Sequence, residues 1–266
     1  MLRSSSPKKL PVRLPGLAWA AAPARAASLS RLGAQSYSFR NFDVDGAIRC
    51  LRNLGLTQME FCAVHFPPDP GDTELPAIKN KLATAGVTVP CFGVERFSED
   101  AAANRKKFEF AKALGVEMLT ADPAPDALDS LDALCEKFQI KIAIHNHGPG
   151  ARYDGVANTL KAVEARLPFI GACVDTGHVI RSGEVPHEVI RQLGSRVLAL
   201  HLKDWKQGGE EQIVGQGDLD LPKTVEALVD IGFSGPIVFE YELDPEGPVP
   251  GMKQGLENWR KAVAGV

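Results

Sequence analysis

Ile142-Ala143-Ile144-His145-Asn146-His147 is an apolar, β-branched run that ends in two imidazoles one residue apart. Three later runs end the same way in polar chemistry: Cys173-Val174-Asp175-Thr176-Gly177-His178, Leu198-Ala199-Leu200-His201-Leu202-Lys203-Asp204 and Ile237-Val238-Phe239-Glu240-Tyr241-Glu242. Apolar runs this short fit strands buried on both faces, and a parallel barrel gathers the carboxyl ends of its strands around one site. Four such endings can therefore supply one divalent metal.

On either side of that stretch, short apolar runs alternate with helix-length amphipathic stretches, the pattern of repeated βα units. Strands are predicted at Ala34–Ser38, Gln58–Cys62, Val87–Val94, Glu117–Ala121, Ile140–His145, Ile170–Asp175, Val197–His201 and Ile237–Tyr241. Helices are predicted at Asp43–Leu54, Glu74–Ala85, Glu99–Leu114, Asp126–Phe138, Gly155–Leu167, His187–Leu193, Leu221–Ile231 and Gly251–Ala264. In the first, Ala47, Ile48, Leu51 and Leu54 make one apolar stripe. Gly55, Gly86, Gly115, Gly194 and Gly232 each follow a helical stretch and read as joints into the next strand. The expected fold class is α/β, a single-domain (β/α)8 TIM barrel over residues 27–266. The 266 residues suit it, since such a barrel takes about 250.

An open doubly wound sheet carries a Gly-rich turn after its first strand. Here Phe39-Arg40-Asn41-Phe42 stands in that place, and Gly215-Gln216-Gly217 lacks both a preceding strand and the third glycine. No nucleotide cofactor is expected.

The composition, 44% hydrophobic and 24% charged, is that of a globular domain, and no apolar run reaches the roughly 18 residues of a membrane span. The net charge of −3 is uneven, because no acidic residue precedes Asp43. Without residues 1–26, 25 basic residues face 33 acidic ones, a net −8, which is a poor match to a phosphate backbone. Nucleic acid is not an expected partner. Residues 1–26 read as an export signal, with basic residues, an apolar stretch from Leu14 to Ala22 and an Ala24-Arg25-Ala26 cleavage pattern, although Pro15 and Pro23 interrupt it. A periplasmic or envelope location follows if that segment is a signal, and a cytoplasmic one if it is a tail. Cys50, Cys62, Cys91, Cys135 and Cys173 have no metal-ligand spacing and read as buried small hydrophobes.

Five of the six histidines, His65, His145, His147, His178 and His201, fall at or just beyond predicted strand ends. Asp175, His201 and Glu240 each close a strand and are the leading metal ligands. A mixed carboxylate and imidazole set suits Mn²⁺, Co²⁺, Fe²⁺ or Zn²⁺ more than Mg²⁺. Asp175 has a competing reading as the cap of the Thr176-Gly177 turn. Lys203 is either an oxyanion or proton-donating group, or a surface lysine paired with Asp204.

The ordered set Ser36-Tyr37-Ser38-Phe39-Arg40, Met59-Glu60-Phe61, His145-Asn146-His147, Asp175-Thr176-Gly177-His178, His201-Leu202-Lys203-Asp204 and Glu240 resembles the xylose isomerase-like TIM barrels. That superfamily holds sugar isomerases and epimerases, inosose dehydratases and, more remotely, endonuclease IV. The resemblance spans residues 33–264 and implies a metal-dependent reaction on a keto-sugar or polyol, with ligands from strands five to eight. It gives Glu240 the role of ligand and acid/base. Many epimerases of the superfamily carry a glutamate where this chain has His145, so one of two bases is missing here. His145 joins the expected metal set and, with Glu240 and Lys203, the catalytic one. Isomerisation or epimerisation is the first reading, and elimination by a dehydratase or a lyase acting on 3-keto-sugars or 3-keto-glycosides is the alternative, with His145 or His147 as acid.

Arg40, Glu60, His65, His147, His178 and Trp205 are expected to line the substrate. For Arg40 a salt bridge across the mouth is an equal alternative, and for Glu60 a buried pairing inside the barrel. Trp205 suits stacking on a sugar face. A phosphate site in the Gly215–Gly217 loop has little basic character to support it. Rival functions are an endonuclease IV-like phosphodiesterase, which needs more ligands, and a metal-free sugar-binding barrel. A homo-oligomer is left open.

Overall fold

The computed structural model describes residues 29–69 and 74–266; the expected export signal or tail at 1–26 lies outside them. Eight parallel strands alternate with helices. They are β1 (Leu32–Gln35), β2 (Gln58–Glu60), β3 (Phe92–Phe97), β4 (Met118–Pro123), β5 (Lys141–His145), β6 (Ile170–Asp175), β7 (Val197–Leu202) and β8 (Ile237–Phe239). The helices are α1 (Val44–Asn53), α2 (Glu74–Ala85), α3 (Ala101–Leu114), α4 (Leu128–Phe138), α5 (Val156–Val163), α6 (Thr176–Arg181), α7 (Pro186–Leu193), α8 (Leu221–Asp230) and α9 (Val249–Ala264). No described helix is long and apolar enough to cross a membrane.

The strands pair in the order β2-β1-β8-β7-β6-β5-β4-β3. The two edge strands meet through parallel bridges at Gln58/Thr88 and Phe61/Phe92, where the Gly93 N–H donates to the Phe61 carbonyl at 2.9 Å. The ring thus closes as a single-domain TIM barrel.

Local chemistry explains the element ends. Asp43, Asp100 and Asp220 cap α1, α3 and α8 by accepting backbone N–H bonds, the first from Gly46 at 2.7 Å. The five joint glycines all have positive φ, from 54° at Gly194 to 93° at Gly115, where a Cβ would strain the backbone.

The boundaries differ from the sequence reading at a few places that matter. Pro90 has no N–H to give a ladder, so the third strand begins at Phe92 and Thr88 contributes only a bridge. β1 stops at Gln35, whose side-chain oxygen accepts the Tyr37 N–H at 3.0 Å and turns Ser36–Phe39 into a 3-10 helix. Thr176–Arg181 is a helix, not a turn, and so carries His178 and Arg181 together.

Side chains alternate along each strand. Ile142, Ile144, Val174, Leu200 and Leu202 face the helices in the main core. Cys91, Met118, Ala143, Cys173 and Ala199 form a separate cluster inside the ring. All five cysteines are free and buried. Two residues further along the same strands, Thr120, His145, Asp175 and His201 occupy the next inward layer and are buried. Small residues below and polar ones above give the barrel a narrow floor and a polar upper layer.

Candidate metal centre

One ligand atom from each of His145, Asp175, His201 and Glu240 lies within 4.8 Å of the others. His145 ends β5 and Asp175 ends β6, in register with His201 of β7. Glu240 follows β8, and its N–H still bonds the Leu202 carbonyl at 3.3 Å. His145 Nε2 stands 3.1 Å from His201 Nδ1 and 3.7 Å from both Asp175 Oδ2 and Glu240 Oε2. His201 Nδ1 is 2.8 Å from Glu240 Oε2. His147 lies outside this group, with its ring centroid 4.7 Å from that of His145.

The donors fit a divalent cation. Asp175 Oδ2 is buried with no hydrogen-bond partner, while Oδ1 accepts the His178 N–H at 2.7 Å as the cap of α6. Capping and ligation therefore use different oxygens of one carboxylate. His201 stands between Glu240 at Nδ1 and Glu60 at Nε2, the latter at 2.9 Å. Holding both contacts requires a positive charge at that ring, supplied either by a second proton or by a cation on Nδ1. Two imidazoles with two carboxylates balance a divalent ion and suit Mn²⁺, Fe²⁺, Co²⁺ or Zn²⁺.

Behind His201 the floor is fully paired. Glu60 is buried and accepts from Cys91 Sγ at 3.0 Å and, in a short contact, from Thr120 Oγ1. A carboxylate behind an imidazole fixes which ring nitrogen carries the proton and so aims the other nitrogen inward. Glu60 thus faces His201 and not the mouth expected for a substrate contact. Asn146 does the equivalent for the backbone, donating to the Asp175 carbonyl at 3.1 Å and accepting its N–H at 2.8 Å. This clamp joins the ends of β5 and β6 but was not read from the sequence; its position between the two histidines was the available signal.

Lys203 is buried beside Glu240, at 3.8 Å, and donates to Glu242. The surface pairing with Asp204 does not occur. Burial pushes the ammonium toward deprotonation, but Glu240, Asp175 and Glu242 outweigh it and keep Lys203 charged. Burial likewise pushes the Glu240 carboxyl up, and Lys203 with the two histidines holds it well below the usual carboxylate range. Asp204 instead accepts the N–H groups of Trp205, Gly215, Gly217 and Leu219 at 2.8–3.0 Å. The Gly215–Gly217 loop is thereby wrapped around an internal carboxylate, which takes the amides a phosphate would need.

Above the donors is a cavity of about 390 Å³ lined by Tyr37, His145, His147, His178, Glu240 and Glu242 among others. Burial lowers the basicity of both His147 and His178 to about 4. Arg40 donates to the carbonyls of Tyr37 and Glu242, at 3.2 and 3.0 Å, so its guanidinium braces the rim through backbone groups and forms no salt bridge among the described residues. His65 packs edge-on against Phe61 and is not among the cavity lining. Trp205 lies on a two-stranded ribbon (Asp204–Trp205 with Glu211–Gln212), its ring 4.6 Å from the Arg181 guanidinium and its Nε1–H bonded to Gly209. Glu211, and Glu242 at the end of the run after β8, neither of them among the expected site residues, complete the acidic shell: the Glu242 N–H donates to Glu211 at 2.8 Å.

The fold and its donors define an α/β barrel with a candidate metal centre at the carboxyl ends of its strands. The chain belongs to the xylose isomerase-like TIM barrel family, whose sequence profile matches residues 48–262. Inosose dehydratase of Bacillus cereus is 27% identical over 143 residues, covering 47% of this chain and 48% of that protein. The 3-oxo-isoapionate decarboxylase of Pectobacterium atrosepticum is 32% identical over 80 residues, 30% of this chain and 28% of that protein. The chain thus spans less than half the length of these curated relatives. Among solved structures, an uncharacterized protein from Parabacteroides distasonis matches with a TM-score of 0.69 at 27% identity, covering 87% of this chain and 98% of that one. An L-ribulose 3-epimerase shares the fold, with a TM-score of 0.66 at 14% identity over 88% of this chain and 92% of the other.

Proposed function

We propose that the protein is a divalent-metal-dependent enzyme that removes a proton next to the carbonyl of a keto-sugar or polyol-derived ketone. The observation carrying this reading is the donor set itself: His145, Asp175, His201 and Glu240 converge beneath a polar cavity, and Asp175 presents a buried, unpartnered oxygen to their centre. These four residues would hold the ion. When bound, it supplies Lewis-acid polarisation of a carbonyl and its neighbouring hydroxyl.

Glu240 is the base, ionised across the neutral range and open to the cavity. It takes the α-proton, and the C–H electron pair moves onto the carbonyl oxygen. Lys203, charged and next to Glu240, stabilises that oxyanion and returns a proton. His147 and His178 are neutral at pH 7 and hold substrate oxygens by hydrogen bonds.

A second reading, elimination of water or an alcohol by the same proton abstraction, is favoured by the carboxylate inventory around the cavity. Asp175 caps α6, Glu60 is behind His201, Glu211 accepts the Glu242 N–H, and the Glu242 carboxylate is paired with Lys203. Glu240 is left as the available base, so the site works on one face of the carbon. The dehydratase relatives agree with that outcome. In it the carbanion pair forms a C=C bond, the C–O bond β to the carbonyl breaks, and Lys203 protonates the leaving oxygen.

Elemental analysis of protein purified without chelator, followed by assays on ketoses, inososes and 3-keto-glycosides, tests the proposal. The expected result is about one transition metal per chain, lost in His201→Ala, with turnover of at least one ketone. Absence of metal, with sugar binding unchanged in His201→Ala, overturns it in favour of a metal-free binding barrel.

A further inference from the structure

Arg181, on the last turn of α6, is a rim cation with no carboxylate partner among the described residues. Its guanidinium carbon lies 4.6 Å from the Trp205 ring centroid, a cation–π distance. It also packs against Gly148, where a Cβ would stand 2.8 Å from that same carbon. Indole and glycine backbone together hold the guanidinium in place. From there Nη1 reaches His178 Nδ1 at 2.9 Å.

An arginine has donors and no acceptor, and it stays protonated in proteins. The contact is therefore a hydrogen bond only if His178 Nδ1 carries its lone pair. A neutral imidazole with Nδ1 as acceptor must carry its proton on Nε2. No described group bonds Nε2, and the ring lines the cavity above the donor set.

We infer that Arg181 is a positioning residue that fixes His178 as a neutral Nε2–H donor to an oxygen of the substrate. His178 then keeps no free lone pair, so it is excluded as base and as metal ligand. The recognised group is an oxygen acceptor, a carbonyl or hydroxyl away from the reacting carbon. Three sequence features find one cause here: Trp205 has a face occupied by Arg181 and so is not free to stack there on a sugar, position 148 is glycine to admit the guanidinium, and His178 shares a helix with its partner.

The substrate part of this inference rests on the proposed ketone chemistry, but the tautomer does not. The test is ¹⁵N-histidine NMR on the full-length, zinc-supplemented protein, with the His178 signals identified by their loss in His178→Gln. A pyridine-like Nδ1 and a pyrrole-like Nε2 are expected. Arg181→Met, and Gly148→Ala, which keeps the charge but displaces the guanidinium, should both abolish the single-tautomer pattern; Arg181→Lys should retain part of it. A protonated Nδ1 in the native protein, or an unchanged pattern in both Arg181→Met and Gly148→Ala, overturns the inference. With an active ketone in hand, Arg181→Met and Gly148→Ala should each raise KM about tenfold with kcat changed far less, whereas a fall confined to kcat would overturn the substrate contact. Should no ketone be turned over, the proposed reaction fails while the NMR still decides the tautomer.

Discussion

Histidine serves both the floor beneath the donor set and the mouth above it, but to opposite ends. On the floor, Glu60 and Cys91 are fully buried and bonded to each other, and Glu60 is paired with Thr120 and His201 of the layer above. At the mouth, His147 and His178 border open cavity, and Arg40 and Arg181 hold backbone or imidazole groups. Precision is enforced behind the donor set: a metal ligand must be aimed to a fraction of an ångström, which takes a paired support, whereas the proposed substrate contacts border open cavity.

If that division holds, substitutions should sort by depth. The largest effect belongs to Glu240→Gln, which keeps an oxygen near the donor set but removes the proposed base; kcat should fall about 10³-fold with the melting temperature little changed. A loss under tenfold in steady-state assays would remove Glu240 from the chemistry. Next is Glu60→Gln, which should weaken metal affinity about 10–100-fold, measured by chelator competition, with excess metal restoring kcat. Restored metal occupancy without restored turnover would move Glu60 from the floor to the reaction.

Glu211 probes the boundary between the two regions. Burial pushes its carboxyl up from 4.5 to about 7. Because the folded pKa is raised, the stabilisation from this group is complete below the unfolded value near 4.5 and is lost as pH rises through 7. Glu211→Gln removes that loss, so its melting temperature should exceed the native one by a few °C at pH 8, on the order of 1–2 kcal/mol, with little gain at pH 5. Equal gains at both pH values would show that Glu211 does not titrate in that window. The smallest effect is expected at the mouth: Trp205→Phe keeps a ring face for Arg181 and loses only the bond to Gly209, so KM should change less than about threefold. A tenfold rise would mean that the indole N–H itself touches substrate.

Much of this was legible in the chain. The βα rhythm, the glycine joints and the inward placement of His145, Asp175 and His201 follow from periods of 2.0 and 3.6, which are local properties. Less legible were the partners. Glu60 and His201 are 141 positions apart and meet across the barrel interior; Lys203 chose Glu240 and Glu242 over its neighbour Asp204 because inward alternation along β7 carries it away from the loop that Asp204 organises. The third strand starts at Phe92, later than its β-prone run predicts, because Pro90 interrupts pairing.

The fold class and the strand ends that carry the converging donors follow from the chain alone, since apolar periodicity and residue type are written into each segment. Which groups face one another is set by the closed barrel: Asp175 divides its oxygens between a helix cap and the donor centre, Glu60 supports an imidazole, and Arg181 reaches His178. Those pairings depend on ring closure and on strand register, which bring distant positions to within hydrogen-bond distance and which no local pattern encodes.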